Sequence, residues 1–419
     1  MFPLFKPLTL SVVAARALIA CGGGDSSPTD SGAVSTPTET AEARQNRLSQ
    51  LGRQIFSDRN LSEPRGTACV ACHQPDQGFA GNNGSRIGVA LGSQPGVLGI
   101  RNAMTNAYQG LVPAFGFITA DGKTEAVGGH FWDGRADTLA VQALAPFLNP
   151  LEMNNPNAQA VVAKVAASTY ANDFRREFGA NIFDTPDAAF TQMGVAIAAF
   201  ELGALQPFNS KYDAMVRGQA TLTPAESRGM ALFQDPLRAN CAGCHLMNPT
   251  SGNPIDSPFS EFTYYATGVP RNTAIPANAD PAFFDLGLCG PDRSAPVLPT
   301  SVVPGTRAEQ FCGQFRMPTL RNVAERRAYM HNGVFTSLRD VVSFYATRNS
   351  NPTRWYGASG VPNDLPAPFL ANLEVTKAPF NRAAIEGPAL TDTEVDDVVA
   401  FLHTLSDGFV PTQGPAPAR

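Results

Sequence analysis

The chain has 419 residues, a length that suits about two or three compact units rather than one small domain. Charged residues make up 16% and hydrophobic residues 43%, which is typical of a folded soluble protein and argues against a disordered one. The formal net charge is -5 and no long run of Lys or Arg occurs, so nucleic acid is excluded as the expected partner.

The N-terminal segment has the features of an export signal. Residues 8–20 form a mainly apolar stretch that Arg16 interrupts, which makes them a poor membrane span and a fair signal core. The segment ends in Leu-Ile-Ala before Cys21, which resembles the lipobox of bacterial lipoproteins. We therefore predict a signal at residues 1–20, lipidation of Cys21, and a flexible Gly/Ser/Thr/Pro-rich tether at residues 21–42. A cleaved secretory signal with an incidental cysteine is the alternative. Both predict the periplasm, with membrane contact only through a lipid anchor.

A Cys-x-x-Cys-His motif occurs twice. Its residues are Cys69, Cys72 and His73 in the first copy and Cys241, Cys244 and His245 in the second. Two thiols at this spacing add across the vinyl groups of haem, and the adjacent histidine is then held at the iron. The motif therefore predicts two covalently bound c-type haems.

Two other uses of paired cysteines compete with haem attachment. A thioredoxin-like redox pair normally follows a strand in a βαβ unit, and neither copy of the motif does. A zinc site would need further Cys or His ligands, and the remaining histidines are only His130, His331 and His403. Haem attachment is therefore favoured.

Two cysteines, Cys289 and Cys312, remain after the motifs and the lipobox are assigned. In an oxidising compartment such a pair is most simply a disulfide, here closing part of a Pro-rich loop. On the chain-entropy model a loop of this length contributes about 3 kcal/mol to stability, mainly by restricting the unfolded chain.

The expected fold is mainly α, with two cytochrome c-like haem domains related by a weak internal repeat and connected by long loops. Residues 47–58 and 224–235 show apolar positions at helical spacing, and each segment precedes a haem motif. We predict an N-terminal domain at residues 43–217 and a C-terminal domain at residues 218–419. Residues 250–304 are rich in Pro, Gly and Asn and are predicted to form a loop.

A closing helix is predicted near the C-terminus. Thr391 suits the N-cap and Glu394 the third helical position, which together make a capping box. The apolar face that follows should pack on the second haem domain; it consists of Val395, Val398, Val399, Leu402 and Leu405.

Five local strings make the sequence from about residue 48 to residue 407 resemble the bacterial di-haem cytochrome c peroxidase and MauG family. In chain order they are RNAMT at 101–105, FWDGRA at 131–136, NPLEM at 149–153, MPTLRN at 317–322 and YMHNG at 329–333. Their length and order make the resemblance specific.

This resemblance implies that the haem on His73 reacts with hydrogen peroxide. Glu152 matches the distal acid, and Gln142 matches the residue beside it. Cleavage of an O–O bond needs a group that takes a proton from one oxygen and returns it to the other, and a buried carboxylate can do both. Without the resemblance, Glu152 is more simply a surface or helix-capping carboxylate.

The resemblance also assigns an inter-haem region. Trp132 matches an aromatic residue between the haems that relays electrons, although it is also a natural core residue. Asn102 matches the side-chain ligand of a calcium ion, and the backbone carbonyls of Arg326 and Ala328 match two further ligands.

The sequence departs from the peroxidase pattern at the first haem. Many relatives carry a histidine that caps this haem until it is reduced, but residues 74–100 contain none. The first haem is therefore predicted to be five-coordinate or water-bound. His130 is a possible substitute ligand; a hydrogen-bonded pocket or surface histidine is the alternative.

A second departure concerns the haem on His245. The position that carries a distal Met in the peroxidases is Tyr345 here, as in the MauG branch, and an anionic phenolate lowers the reduction potential. Met330 or Met317 is the alternative ligand.

We therefore predict a MauG-like di-haem peroxidase that shares oxidising equivalents between its haems and oxidises a partner protein. An ordinary cytochrome c peroxidase fed by a small cytochrome or cupredoxin, and a non-catalytic electron-transfer cytochrome, are the rival predictions. A haem-based sensor or structural lipoprotein has only the tether in its favour.

Overall fold

The computed structural model describes residues 40–120 and 122–411. The predicted signal at residues 1–20 and the candidate lipidation residue Cys21 lie outside this part. The first helix begins at Ala41, slightly before the predicted start of the folded region at residue 43. In the part that is described, no helix is both long and apolar enough to cross a membrane.

The described chain is mainly helical, with two short antiparallel sheets. The helices are α1 (Ala41–Ser57), α2 (Cys69–Cys72), α3 (Leu139–Gln142), α4 (Ala145–Leu148), α5 (Ala158–Ala166), α6 (Ala171–Phe178), α7 (Pro186–Ala204), α8 (Lys211–Val216), α9 (Pro224–Gln234), α10 (Leu338–Thr347), α11 (Pro352–Tyr356) and α12 (Asp392–His403). The strands are β1 (Gly116–Ala120), β2 (Lys123–Val127), β3 (Tyr264–Tyr265) and β4 (Phe315–Arg316). β1 pairs with β2, and β3 pairs with β4. The mainly α prediction is confirmed, whereas the strands were not predicted.

The first hydrophobic core forms where α1 crosses α7. Gly52 lies at the crossing, and a β-carbon there would overlap the carbonyl oxygen of Ala196. One turn later, Phe56 packs on Phe200 with ring centroids 5.3 Å apart. The missing side chain lets the two backbones approach, and the aromatic pair fills the adjoining space.

The second hydrophobic core forms where α9 crosses α12, with closely similar contacts. A β-carbon on Gly229 would overlap the carbonyl oxygen of Asp397. Phe233, one turn later, packs on Phe401 with ring centroids 5.2 Å apart. A Gly followed by Phe four residues later thus occurs in both helices that precede a haem motif.

The predicted closing helix is α12, and its capping box is confirmed. The Thr391 side chain accepts a hydrogen bond from the Glu394 amide, and the Glu394 carboxylate accepts one from the Thr391 amide. A second capping box, formed by Thr223 and Glu226, begins α9. The predicted apolar face of α12 lies in the second core, with Val399 at its margin.

Helix α8 lies on the N-terminal side of the predicted domain boundary but packs in the second core. Tyr212 and Val216 belong to that core, and the Tyr212 amide donates to the Thr404 carbonyl. Asp213 pairs with Arg321 at 3.0 Å, and both side chains are fully buried. The boundary at residues 217 and 218 stays a prediction.

The predicted loop at residues 250–304 contains short 3-10 turns and β3. Cys289, inside it, forms a disulfide with Cys312. The nearby β1–β2 hairpin packs its aromatic residues against the same region: Phe117 lies edge-on to Phe311, with centroids 5.5 Å apart.

Candidate active site and cofactor cavities

The first haem motif opens into a small cavity. The residues that line it and bear on its chemistry are Cys69, Cys72, His73, Asn106, Gln142, Glu152 and Glu201. The predicted attachment residues, proximal ligand and distal pair of this haem are therefore brought together. They come from segments far apart in sequence, since α2 supplies the cysteines and the α3–α4 region supplies the distal residues.

His73 is oriented by the backbone. Its amide donates to the Cys69 carbonyl at 2.9 Å, which closes α2, and its Nδ1 lies 3.1 Å from the carbonyl oxygen of Phe79. Burial lowers the pKa of His73 to about 4, so the ring is neutral. Because Nδ1 donates its proton to the carbonyl, Nε2 carries the lone pair that an iron ligand requires.

Glu152 follows α4 in a turn and is held by its neighbour, since the Asn149 amide donates to Oε1 at 2.7 Å. Burial raises the pKa of Glu152, and the charge of Arg135 opposes this effect. A carboxyl whose pKa is raised holds a proton more firmly and can release it to a substrate. Gln142 lines the same cavity and supplies a neutral amide.

Glu201 is a second carboxyl at this cavity that the sequence analysis missed. It is 2% exposed, Asn106 donates to its Oε1, and its Oε2 has no partner among the described residues. Burial raises the pKa of Glu201 to about 8, although the Asn106 hydrogen bond lowers it. The sequence did contain a signal for this residue, because Glu201 is a lone charge in the apolar second half of α7.

The second haem motif opens into a larger cavity, which is partly open to solvent. The lining residues named by the predictions are Trp132, Cys241, Cys244, His245, Met317, Arg326, Met330 and Tyr345. His331 lines the same cavity.

His245 repeats the arrangement of His73. Its amide donates to the Cys241 carbonyl at 2.7 Å, and its Nδ1 lies 2.9 Å from the carbonyl oxygen of Phe259. Burial lowers the pKa of His245 to about 4. Phe79 and Phe259, the two acceptors, both have a positive φ, at 57° and 53°. Both histidines therefore present a neutral Nε2.

Tyr345 lies on α10 and stacks on Phe380, with ring centroids 5.1 Å apart. Burial raises the pKa of its hydroxyl. A bound ferric ion would oppose this effect, because a metal cation favours the deprotonated ligand. Met317 and Met330 share the cavity, so the choice of distal ligand stays a prediction.

Trp132 is buried between the second cavity and the segment that leads to the first. Its Nε1 donates to the Asn102 carbonyl at 2.8 Å, and its ring lies edge-on to His331 at 6.5 Å. Four residues after Asn102, Asn106 lines the first cavity. The neighbouring Asp133 accepts a hydrogen bond from Arg101 at 2.7 Å, which fixes the loop that carries Trp132.

Of the three predicted calcium ligands, Asn102 and the Ala328 carbonyl are adjacent, whereas the Arg326 carbonyl is separate from them. The Nδ2 of Asn102 donates to the Ala328 carbonyl at 3.0 Å and to the Met330 carbonyl at 3.1 Å. The Arg326 carbonyl instead accepts from the Tyr329 hydroxyl at 2.8 Å. The described residues contain no group of three or more His, Cys, Asp and Glu suited to a metal ion.

His130 does not line either haem cavity. It is 4% exposed, its Nδ1 has no partner within the described chain, and burial lowers its pKa to about 4. His130 is therefore neither a surface histidine nor one held by a hydrogen bond at Nδ1. No observed contact directs its ring at the first haem site.

Two cavities, each with two unpaired half-buried cysteines and a neutral histidine whose Nε2 is available, fit a protein that binds two haems covalently. The half-buried Glu152 at one cavity, with its raised pKa, fits an enzyme of peroxide chemistry. Comparison with known proteins agrees with both conclusions.

Residues 46–221 match the family model described as di-haem cytochrome c peroxidase. The methylamine utilization protein MauG of Paracoccus denitrificans is 37% identical over 374 residues, covering 88% of this chain and 91% of that protein. Cytochrome c551 peroxidase of Pseudomonas aeruginosa is 25% identical over 388 residues, covering 88% and 83%. The crystal structure of the dihaem peroxidase BthA from Burkholderia thailandensis is 42% identical, with a TM-score of 0.79 and 86% of each chain covered.

The chain therefore belongs to the di-haem cytochrome c peroxidase and MauG family. This membership makes it a peroxidase-type oxidoreductase that carries two c-type haems and uses hydrogen peroxide and a redox partner.

Proposed function

We propose that the protein reduces hydrogen peroxide at the His73 haem and that its two haems share the resulting oxidising equivalents, which finally oxidise a partner protein. The observation that carries the proposal is Glu152, a half-buried carboxyl whose pKa is raised by desolvation, in the cavity of Cys69, Cys72 and His73. Bound haem would supply the iron that binds peroxide and exchanges electrons.

Glu152 takes a proton from the bound oxygen of peroxide and returns it to the leaving oxygen. The Asn149 amide holds the carboxyl in place, and Gln142 orients peroxide by hydrogen bonding. His73 presents Nε2 to the iron because the Phe79 carbonyl holds the opposite side of its ring. No histidine occurs in residues 74–100, and His130 lies outside the cavity lining, which supports an open distal position.

Trp132 connects the two sites in this proposal. Its contacts with Asn102 and His331 join a segment bordering the first cavity to the lining of the second. Tyr345 is proposed as the distal ligand of the His245 haem, which lowers its potential and suits it to hold an oxidising equivalent rather than to accept electrons from a small donor.

Absorption and electron paramagnetic resonance (EPR) spectra of the resting ferric protein, before and after one equivalent of peroxide, test the proposal. We expect the resting protein to show one high-spin and one low-spin haem. Peroxide should then cause a long-lived spectral change at both haems. Two low-spin haems that respond only after partial reduction would contradict it. Fast turnover with a reduced small cytochrome or cupredoxin would favour the ordinary peroxidase instead, and no response to peroxide would favour an electron-transfer cytochrome.

The distal ligand of the second haem is tested by Tyr345→Met. A His/Met haem has a higher reduction potential than a His/phenolate haem, so redox titration should show a rise at the second haem alone. Met330→Leu is the control and should leave both potentials unchanged. A fall in potential in Met330→Leu, with no change in Tyr345→Met, would show that the ligand was misassigned.

Calcium is proposed near Asn102. A half-turn of the Asn102 amide would direct Oδ1, a suitable ligand for a hard cation, toward the carbonyls of Ala328 and Met330. The Arg326 carbonyl would have to leave the Tyr329 hydroxyl to join them. A protein that contains no calcium by elemental analysis, with spectra unchanged by a chelator, would contradict this proposal.

The remaining proposals concern organisation and location. The matching crossings at Gly52 and Gly229 support two related haem domains, at residues 43–217 and 218–419.

Covalent haem attachment and the Cys289–Cys312 disulfide favour the periplasm, with anchoring through Cys21. Membrane fractionation of wild type and Cys21→Ala tests the anchor; identical distributions would contradict it.

A further inference from the structure

A polar cluster borders the second haem cavity and has no part in the mechanism above. It consists of Tyr265, Glu261 and Lys377, and we call it the tyrosine cluster. Tyr265 and Lys377 line the cavity that contains Cys244 and His245. Two other tyrosines, Tyr108 and Tyr170, also donate to a carboxylate, but neither lines a haem cavity. Among the described residues, Tyr265 combines a carboxylate acceptor with a place at a haem site.

Tyr265 lies at the second haem cavity. It lines this cavity together with Cys244, whose sulfur would join the haem. The ring is half-buried, and the Lys377 ammonium lies 4.6 Å from its centroid and contacts the phenol oxygen. The ring therefore borders the space that the haem would occupy.

The hydroxyl of Tyr265 also has a base in place. It donates to Oε1 of Glu261 at 2.6 Å. The Glu261 amide in turn donates to the Cys244 carbonyl at 3.0 Å, so the backbone fixes the acceptor relative to the haem motif. Burial raises the pKa of Tyr265, and the hydrogen bond to the Glu261 carboxylate raises it further.

The cluster opens toward solvent. The side chain of Glu261 is 21% exposed and that of Lys377 is 34% exposed, and Glu125 lies 3.9 Å from Lys377. Protons can therefore exchange with water, and a partner can approach the outer side of the ring.

Its neighbour on the same strand provides a contrast. Tyr264 points to the opposite side of β3, is 3% exposed, and donates to the Gly128 carbonyl at 2.6 Å. It has no carboxylate acceptor among its hydrogen bonds and does not line the haem cavity. A backbone carbonyl cannot accept a full proton, so this tyrosine has no route to a neutral radical.

We propose that Tyr265 is a redox-active residue that carries an oxidising equivalent from the second haem to the surface. Tyr265 gives one electron to the oxidised haem, which is thereby reduced by one electron, and its phenolic proton passes to Glu261. The neutral tyrosyl radical then takes one electron from a donor at the surface and recovers the proton from Glu261. This inference rests on the proposed function, because peroxide supplies the oxidising equivalent.

The experiment is freeze-quench EPR of the haem-loaded protein after one equivalent of peroxide, with ring-deuterated tyrosine to identify a tyrosyl signal. We expect the signal in wild type, its loss in Tyr265→Phe, and its retention in Tyr264→Phe. Glu261→Gln should also lose most of the signal, because the amide cannot accept the proton. Haem absorption before mixing shows that each variant is folded and loaded.

The outcomes separate this inference from the function on which it rests. A normal haem response to peroxide with an undiminished tyrosyl signal in Tyr265→Phe, or with none in wild type, would overturn the inference alone. A wild-type haem spectrum that does not respond to peroxide would overturn both. Equal losses in Tyr264→Phe and Tyr265→Phe would assign Tyr265 a merely structural role and also overturn the inference.

Discussion

At the scale of single residues, burial gives ordinary side chains their unusual chemistry. Glu152 and Glu201 are both carboxyls at the first cavity, and burial raises the pKa of each. They differ in their partners, since Glu152 has Asn149 and the opposing charge of Arg135, whereas Glu201 keeps one oxygen unpartnered. We therefore assign them different roles.

Replacement of Glu152 by Gln should slow the reaction with peroxide by about 10²–10⁴-fold, because the amide cannot take and return a proton. Stopped-flow absorption of the first haem measures this rate. Glu63→Gln is the control, since its side chain is 55% exposed, and its rate should match wild type. Equal rates in Glu152→Gln and wild type would remove Glu152 from the mechanism.

Glu201 should make stability depend on pH. The pKa of Glu201 is about 8 in the folded protein, against an ordinary value of 4.5 for a glutamate, so the unfolded chain ionises first as pH rises. Stability should therefore fall between about pH 5 and pH 8, and Glu201→Gln should lack this part of the decrease. Thermal unfolding at both pH values measures the difference. A difference in stability between wild type and Glu201→Gln that does not change with pH would contradict the assignment.

At the scale of elements, the two helix crossings position the haem motifs. At each crossing, a helix that carries Gly, with Phe one turn later, packs against a second helix that supplies another Phe. The absence of a β-carbon is required at both crossings because a partner carbonyl occupies the space.

Gly52→Ala and Gly229→Ala should each lower the free energy of unfolding by about 1–3 kcal/mol, because the added methyl group forces the helices apart. Denaturant unfolding measures this change. Gly203→Ala, on the exposed side of α7, should stay within about 0.5 kcal/mol of wild type because only the Ser49 side chain is near. Similar losses in all three variants would show that the crossings are not special.

At the scale of the whole molecule, function depends on communication between the cavities. Trp132 is one of two tryptophans in the chain, and its hydrogen bond to Asn102 and contact with His331 place it on the route proposed above. The second tryptophan, Trp355, packs in the second core and lines neither cavity.

Trp132→Phe should leave the first haem able to react with peroxide but greatly slow the change at the second haem. Time-resolved spectra of both haems measure the two responses separately. Trp355→Phe is the matched control and should retain both responses. A second-haem response at the wild-type rate in Trp132→Phe would show that the equivalents take another route.

The sequence by itself determined the features that depend on local chemistry. Haem attachment follows from Cys-x-x-Cys-His because neighbouring residues alone bring two thiols and an imidazole together. The Thr391–Glu394 capping box is likewise satisfied within one helical turn. The family resemblance extended this information to Glu152, Gln142 and Trp132, whose roles cannot be derived from spacing.

Only the tertiary structure decided which distant residues meet and how deeply they are buried. It placed Glu201 of α7 against the first cavity, and it joined Tyr265, Glu261 and Lys377 beside Cys244. It also showed that His130 lies outside both cavity linings. The raised pKa of Glu201 and the proton acceptor of Tyr265 arise from desolvation and contacts across long chain separations, and periodicity and local spacing carry no information about either.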